Sequence, residues 1–246
     1  MHTKRRVLLI SSSTTYGSGY LDHADSEIRD FLGSVKRVVF VPFALHDQKS
    51  YTERARERLG KMGYEVIAID ECLTRPERLN SVDGMFIGGG NTFRLLKKLY
   101  DADLLSAIRD FVAQGKPYIG SSAGSNVAGA TIKTTNDMPI VEPPSFIALG
   151  LVKFQISPHY QDPDPKSTHM GETQEERILQ FLEENETPVA GLREASMLRV
   201  EGTSVLLKGP LAARIFRRGH PALECPAGSE LSAYLEPQPS ARRKTS

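Results

Sequence analysis

The chain has 246 residues, 39% hydrophobic and 25% charged, with a formal net charge of +1. That balance is ordinary for a globular chain and leaves no global field to attract nucleic acid, a membrane surface or a charged partner. Two distant cysteines, Cys72 and Cys225, lack metal-ligand spacing, and no apolar run approaches membrane-spanning length, so a reduced, cytoplasmic protein is expected.

Val7-Leu8-Leu9-Ile10 is a continuous aliphatic run, as in a strand buried on both faces, and it feeds Ser11-Ser12-Ser13-Thr14-Thr15. Leu21, Ala24, Ile28, Phe31 and Leu32 are spaced for a helix over 20–32. A second strand over 38–43 is stopped by Pro42, and a charged helix over 51–62 is closed by Gly63. Strands over 65–69 and 85–87 follow, the latter running into Gly88-Gly89-Gly90. Asn91 or Thr92 caps a helix over 93–100, and another over 102–114 ends at Gly115 and Pro117. Tyr118 and Ile119 then read as the end of a further buried strand. This alternation predicts an α/β fold: a mostly parallel central sheet with helices on both faces and sites outside the carboxyl ends of its strands.

The second half changes character. Residues 131–145 are polar, with Pro139, Pro143 and Pro144, and read as loop. A strand over 151–156 leads into Ser157-Pro158-His159-Tyr160. Pro163 and Pro165 mark a mobile loop over 161–168, and a lid over 161–170 that orders on substrate is expected. A helix over 172–186 precedes the apolar run Val189-Ala190-Gly191-Leu192, which ends at Arg193-Glu194. Short strands over 197–200, 204–207 and 213–216 suggest a small antiparallel C-terminal edge. The whole reads as a single catalytic domain over 1–236 with a disordered tail over 237–246.

Gly120-Ser121-Ser122-Ala123-Gly124 fits G-x-S-x-G, the nucleophile elbow. A serine at the tip of a sharp strand-to-helix turn needs small neighbours two residues either side. The helix that follows turns free N–H groups toward the place where an oxyanion forms. Of the six histidines, His159 follows a strand end and suits the general base. Two acids qualify to orient it, Asp137 and Glu194, and the spacing does not choose between them. Gly90 N–H complements Ala123 N–H as an oxyanion donor, while the triglycine lacks the lysine of a phosphate loop. His159-x-x-Asp162-x-Asp164 and His169-x-x-Glu172 offer mixed metal ligands, but a proline-rich loop is a poor cage, so neither metal nor cofactor is expected.

Gly88-Gly89-Gly90-Asn91-Thr92-Phe93, Gly120-Ser121-Ser122-Ala123-Gly124-Ser125-Asn126, Thr134-Thr135-Asn136-Asp137-Met138-Pro139-Ile140, Pro158-His159-Tyr160 and Gly171-Glu172-Thr173 together resemble peptidase E, the alpha-aspartyl dipeptidases. The likeness runs from about residue 7 to residue 215. It implies a fold like that of the class I glutamine amidotransferases and cleavage of Asp-Xaa dipeptides without metal or cofactor. The nucleophile then maps to Ser122, the base to His159 and the oxyanion donors to Gly90 and Ala123. Asp137 and Glu194 both remain as the third member, with the order nucleophile, His, Glu favouring Glu194. The substrate β-carboxylate and α-ammonium require partners; Asn91, Thr135 and Asn136 can donate, and Arg193, Arg177 and Lys133 carry charge. One departure stands out: the family pattern has arginine after Gly-Glu-Thr, whereas this chain has Gln174, which opens the way to asparagine beside aspartate. The alternatives are a cyanophycinase-like hydrolase of acidic peptides and a non-catalytic binding protein on the same fold. The expected partner is a small peptide, not nucleic acid or membrane, and the oligomeric state stays open between monomer and dimer.

Overall fold

Side-chain alternation along β1 (Arg6–Ile10) builds the middle of the molecule. Val7 and Leu9 face one hydrophobic cluster, Leu8 and Ile10 the other, and none of these four is exposed to solvent. Burying each such side chain contributes about 1.5–3 kcal/mol, so a strand aliphatic on both faces belongs at the centre of a layered fold. The computed structural model describes residues 5–74, 79, 81–168 and 170–236. The expected disordered tail and His169 lie outside the described residues.

β2 (Arg37–Val41), β3 (Glu65–Ala68), β4 (Gly84–Ile87) and β5 (Tyr118–Ser121) run parallel to β1. β8 (Met197–Glu201) and β9 (Ser204–Lys208) add an antiparallel edge, completing a seven-stranded sheet of order β3-β2-β4-β5-β1-β8-β9. α1 (Asp25–Leu32) and α2 (Gln48–Lys61) cover the Leu8 face through Ile28, Phe31, Tyr51, Ala55 and Leu59. α3 (Ile69–Thr74), α4 (Thr92–Asp101) and α5 (Leu104–Ala113) cover the Leu9 face. Caps set the helix starts: Asp47 accepts from Ser50 N–H at α2, and Asn91 accepts from Arg94 N–H at α4.

The short turn helix α6 (Ala123–Asn126) follows β5 directly. β6 (Gln155–Pro158) begins later than its apolar run suggests, because Leu151, Val152 and Phe154 are buried against the Leu9-face core outside any strand. β6 does not join the main sheet. It pairs in parallel with β7 (Val189–Leu192), and β10 (Ala213–Phe216) and β11 (Leu223–Cys225) extend β7 into a second sheet of order β11-β10-β7-β6. So β10, grouped by sequence with β8 and β9, parts from them. α7 (Gln174–Glu184) starts on a capping box in which Thr173 and Glu176 satisfy each other's backbone N–H. The sheets are stitched at the carboxyl end of β1, where Ser11 N–H donates to Ser196 O and Ser11 Oγ donates to Leu192 O. There the chemistry collects.

Candidate active site

Ser122 follows β5 with φ 50° and ψ −108°, a backbone state costing on the order of 1–3 kcal/mol for a residue with a Cβ. The elbow glycines make the turn possible. A Cβ on Gly120 would collide with Gly124 O, and one on Gly124 would collide with Ile87 O. The tip is pinned from below: Ser122 N–H donates to Ile10 O at 2.9 Å, and Ser125 Oγ meets Ile10 O and Gly120 O at 2.8 Å each. Tyr118 Oη donates to Gly124 O at 2.6 Å. The strained tip therefore stands on a buried base held by hydrogen bonds from Ser122 N–H, Ser125 Oγ and Tyr118 Oη.

Two loops of the second sheet bring the remaining groups. His159, just past β6, lies 3.0 Å through Nε2 from Ser122 Oγ. Its Nδ1 lies 3.0 Å from Glu194 Oε1, just past β7. A proton on Nδ1, donated to Glu194, leaves the Nε2 lone pair to accept from the serine hydroxyl. His159 and Glu194 side chains are 42% and 50% exposed, so the site opens to solvent. Asp137, the other candidate acid, lies elsewhere. Its Oδ2 accepts from Thr92 N–H at 2.7 Å, Thr92 Oγ1 at 2.6 Å and Thr135 Oγ1 at 3.2 Å, tying the 131–138 segment to the start of α4.

The triglycine runs against the elbow. A Cβ on Gly89 would stand 3.1 Å from both Ser121 O and Ser122 Cβ. Gly88 N–H donates to Val41 O, Gly89 N–H to the Tyr51 hydroxyl at 2.8 Å, and Asn91 N–H to Ala44 O. Gly90, at φ +137°, comes between these anchored amides, and a Cβ there would strike Ala44 O at 2.6 Å. Ala123 is the first residue of α6, where a backbone N–H has no carbonyl one turn earlier.

The sequence-derived substrate contacts divide. Asn91 is occupied at both ends: Oδ1 caps α4, and Nδ2 donates to Met138 O at 2.8 Å. Thr135 Oγ1 is spent on Thr92 and Asp137. Asn136 Nδ2 reaches Ser157 Oγ at 3.4 Å, beside β6. Gln174 Oε1 accepts Gln161 N–H at 2.8 Å. Arg193 is no free charge: it grips Asp162 through two 2.8 Å bonds and also holds Glu224. The same grip fixes the start of the 161–170 loop and occupies a carboxylate of the candidate metal pattern. Arg193 and Arg214 together hold the Asp162 carboxyl below its ordinary pKa. Arg177 lies 3.9 Å from Glu172, and Lys133 is exposed. Tyr51 and Ser11 hold the site's backbone and had no signal of their own; a serine run at the end of a buried strand is the nearest thing to one.

An elbow serine, an imidazole and a carboxylate in line, beside a glycine loop at the carboxyl edge of a parallel sheet, define a serine hydrolase. The sequence model of Peptidase family S51 matches residues 7–208. The chain belongs to that family. Peptidase E of Streptomyces coelicolor is 53% identical over 230 residues, spanning 94% of this chain and 95% of that protein. A Drosophila melanogaster protein named probable alpha-aspartyl dipeptidase is 47% identical over 220 residues, spanning 88% and 92%. The crystal structure of a peptidase from an acI-B1 actinobacterium matches with a TM-score of 0.69 over 93% of this chain and 97% of that one, at 16% identity, a likeness of fold. No helix among the described residues is long and apolar enough to cross a membrane.

Proposed function

We propose that the chain hydrolyses dipeptides with an N-terminal aspartate, Asp-Xaa, through an aspartyl-enzyme intermediate. The names of the relatives support the substrate, and the Ser122–His159–Glu194 line carries the chemistry. His159 Nε2 takes the Ser122 proton as Oγ attacks the aspartyl carbonyl carbon. Gly90 and Ala123 N–H groups receive the oxyanion. The C–N bond breaks as His159 returns the proton to the leaving amine. Water, deprotonated by the same imidazole, then attacks the ester carbonyl, and His159 passes that proton to Ser122 Oγ as the acyl C–O bond breaks and aspartate leaves. Glu194 keeps Nδ1 protonated and stabilises the imidazolium. Asp137 anchors the loop beside the oxyanion glycine. Residues 1–236 form one catalytic domain in this proposal, supported by a core cluster shared between the sheets. Reduced, buried Cys72 and Cys225 fit a cytoplasmic enzyme.

A cleft of ≈ 330 Å³ lies on the segment that follows His159 in the chain, lined by Gln161, Asp162, Asp164, Glu172, Thr173 and Gln174. That volume lies at the low end for small-ligand sites and suits a short substrate. Gln174 offers a neutral donor there, which serves the carbonyl of asparagine as well as a carboxylate. The test is kcat/KM on Asp-Leu, Asn-Leu and a longer acidic polymer. Asp-Leu and Asn-Leu are expected within about a hundredfold of each other, since charge discrimination needs a cation. A larger ratio removes Gln174 from specificity; turnover of the polymer alone replaces the dipeptidase reading with the cyanophycinase-like one.

The oxyanion loop is testable without touching it. Tyr51→Phe deletes the acceptor of Gly89 N–H and keeps the ring that packs against Tyr20 and Phe40. A kcat loss of about tenfold is expected with KM little changed, together with about 1–3 kcal/mol of stability for the orphaned amide. Unchanged kcat in steady-state assays shows that the loop holds its alignment otherwise.

A further inference from the structure

The strain in this site has a common support. Leu21, Asp103, Ser122, His159 and Ala195 are the non-glycine residues at positive φ among the described residues. Three of them surround the reacting groups, and their amides land on consecutive residues at the end of β1. Ser122 N–H donates to Ile10 O at 2.9 Å, His159 N–H to Ser11 Oγ at 2.9 Å, and Ala195 N–H to Ser12 Oγ at 3.4 Å. Ser11 and Ser12 are wholly buried.

A hydroxyl has one proton to donate and lone pairs to accept with, and Ser11 uses both functions. It accepts from His159 N–H and donates to Leu192 O at 2.8 Å, two residues before Glu194. One oxygen thus bridges the base's backbone to the strand that carries its carboxylate partner. Packing cannot do this work, because both side chains are about half exposed. Their alignment has to come from the backbone beneath them.

We propose that Ser11 is a positioning residue, whose buried hydroxyl sets His159 in register with both Ser122 and Glu194. The inference rests on the hydrolase reading above. Without the hydroxyl, Leu192 O keeps Tyr160 N–H at 2.9 Å, so β7 stays in place. His159 N–H loses its partner, and the left-handed residue is free to relax toward an ordinary conformation. A displacement of about 1 Å at the base costs on the order of a hundredfold in rate.

The test compares wild type with Ser11→Ala, Ser11→Thr and Ser11→Cys by kinetics on Asp-Leu and by the downfield proton resonance of the His159–Glu194 hydrogen bond. Ser11→Ala is expected to fold cooperatively, to lose about tenfold to a hundredfold in kcat with KM within about threefold, and to lose or broaden the resonance. Ser11→Thr, which keeps the hydroxyl, restores both. Ser11→Cys, similar in size but weak in hydrogen bonding, behaves like alanine and is the variant read if Ser11→Ala fails to fold. Wild-type kcat and an unchanged resonance in whichever of these two folds overturn the proposal, as does a folded Ser11→Thr no better than Ser11→Cys. The resonance separates the two failures. A wild type that ignores Asp-Leu but loses its signal on Ser11 substitution sinks the substrate and keeps the role of Ser11.

Discussion

Ser122→Ala is expected to lower kcat on Asp-Leu by at least about ten-thousand-fold and to abolish labelling by a phosphonate reagent. No other group replaces Oγ, which lies 3.0 Å from the imidazole nitrogen proposed to take its proton. The loss should be chemical rather than structural. The elbow glycines, the Ile10 anchor and the bonded base of the turn involve the backbone or other side chains, so stability should change by about 1 kcal/mol or less. The adjacent serine is the control. Ser121 is buried within β5, and Ser121→Ala should label at a near-normal rate. Residual turnover above about one per cent in Ser122→Ala, well beyond what lost nucleophiles leave behind, removes the nucleophile assignment.

What the sequence made legible follows from how each feature is enforced. The elbow spacing was readable because backbone collisions at Gly120 and Gly124 forbid any Cβ there, a constraint written directly in residue identity. The parallel half was readable because β1, β2 and β4 are apolar and buried on both faces. The second sheet was not. Runs as short as Gln155–Pro158 and Val189–Leu192 say that a strand exists but not which strand it pairs with. Polar side chains proved equally mute about direction: Asn91 and Thr135 look like ligands for a substrate until their partners, Met138 and Asp137, are seen to occupy them. Tyr51 is in sequence only the first residue of a charged helix, and only the fold brings its hydroxyl to Gly89, 38 positions away.

The choice between the acids shows the same limit and yields the second large effect. Glu194→Gln should lower kcat by about a hundredfold to ten-thousand-fold. An amide nitrogen turned toward His159 donates where the carboxylate accepted. Nδ1 then becomes the acceptor, Nε2 carries the proton, and the ring cannot take one from Ser122. The half-exposed position of Glu194 lets solvent compete for Nδ1, which favours the smaller end of that range. Asp137→Asn should act through α4 instead. Its carboxylate caps the helix start through Thr92 N–H and Oγ1, and losing the charge there costs about 1 kcal/mol of stability. Its kcat should fall less than about tenfold, because the disturbance reaches Gly90, the proposed oxyanion donor, through Asn91. Steady-state kinetics on both variants, with thermal melts beside them, decide the matter. A large kcat loss in Asp137→Asn beside a small one in Glu194→Gln would mean that the imidazole swings to a different carboxylate when substrate binds.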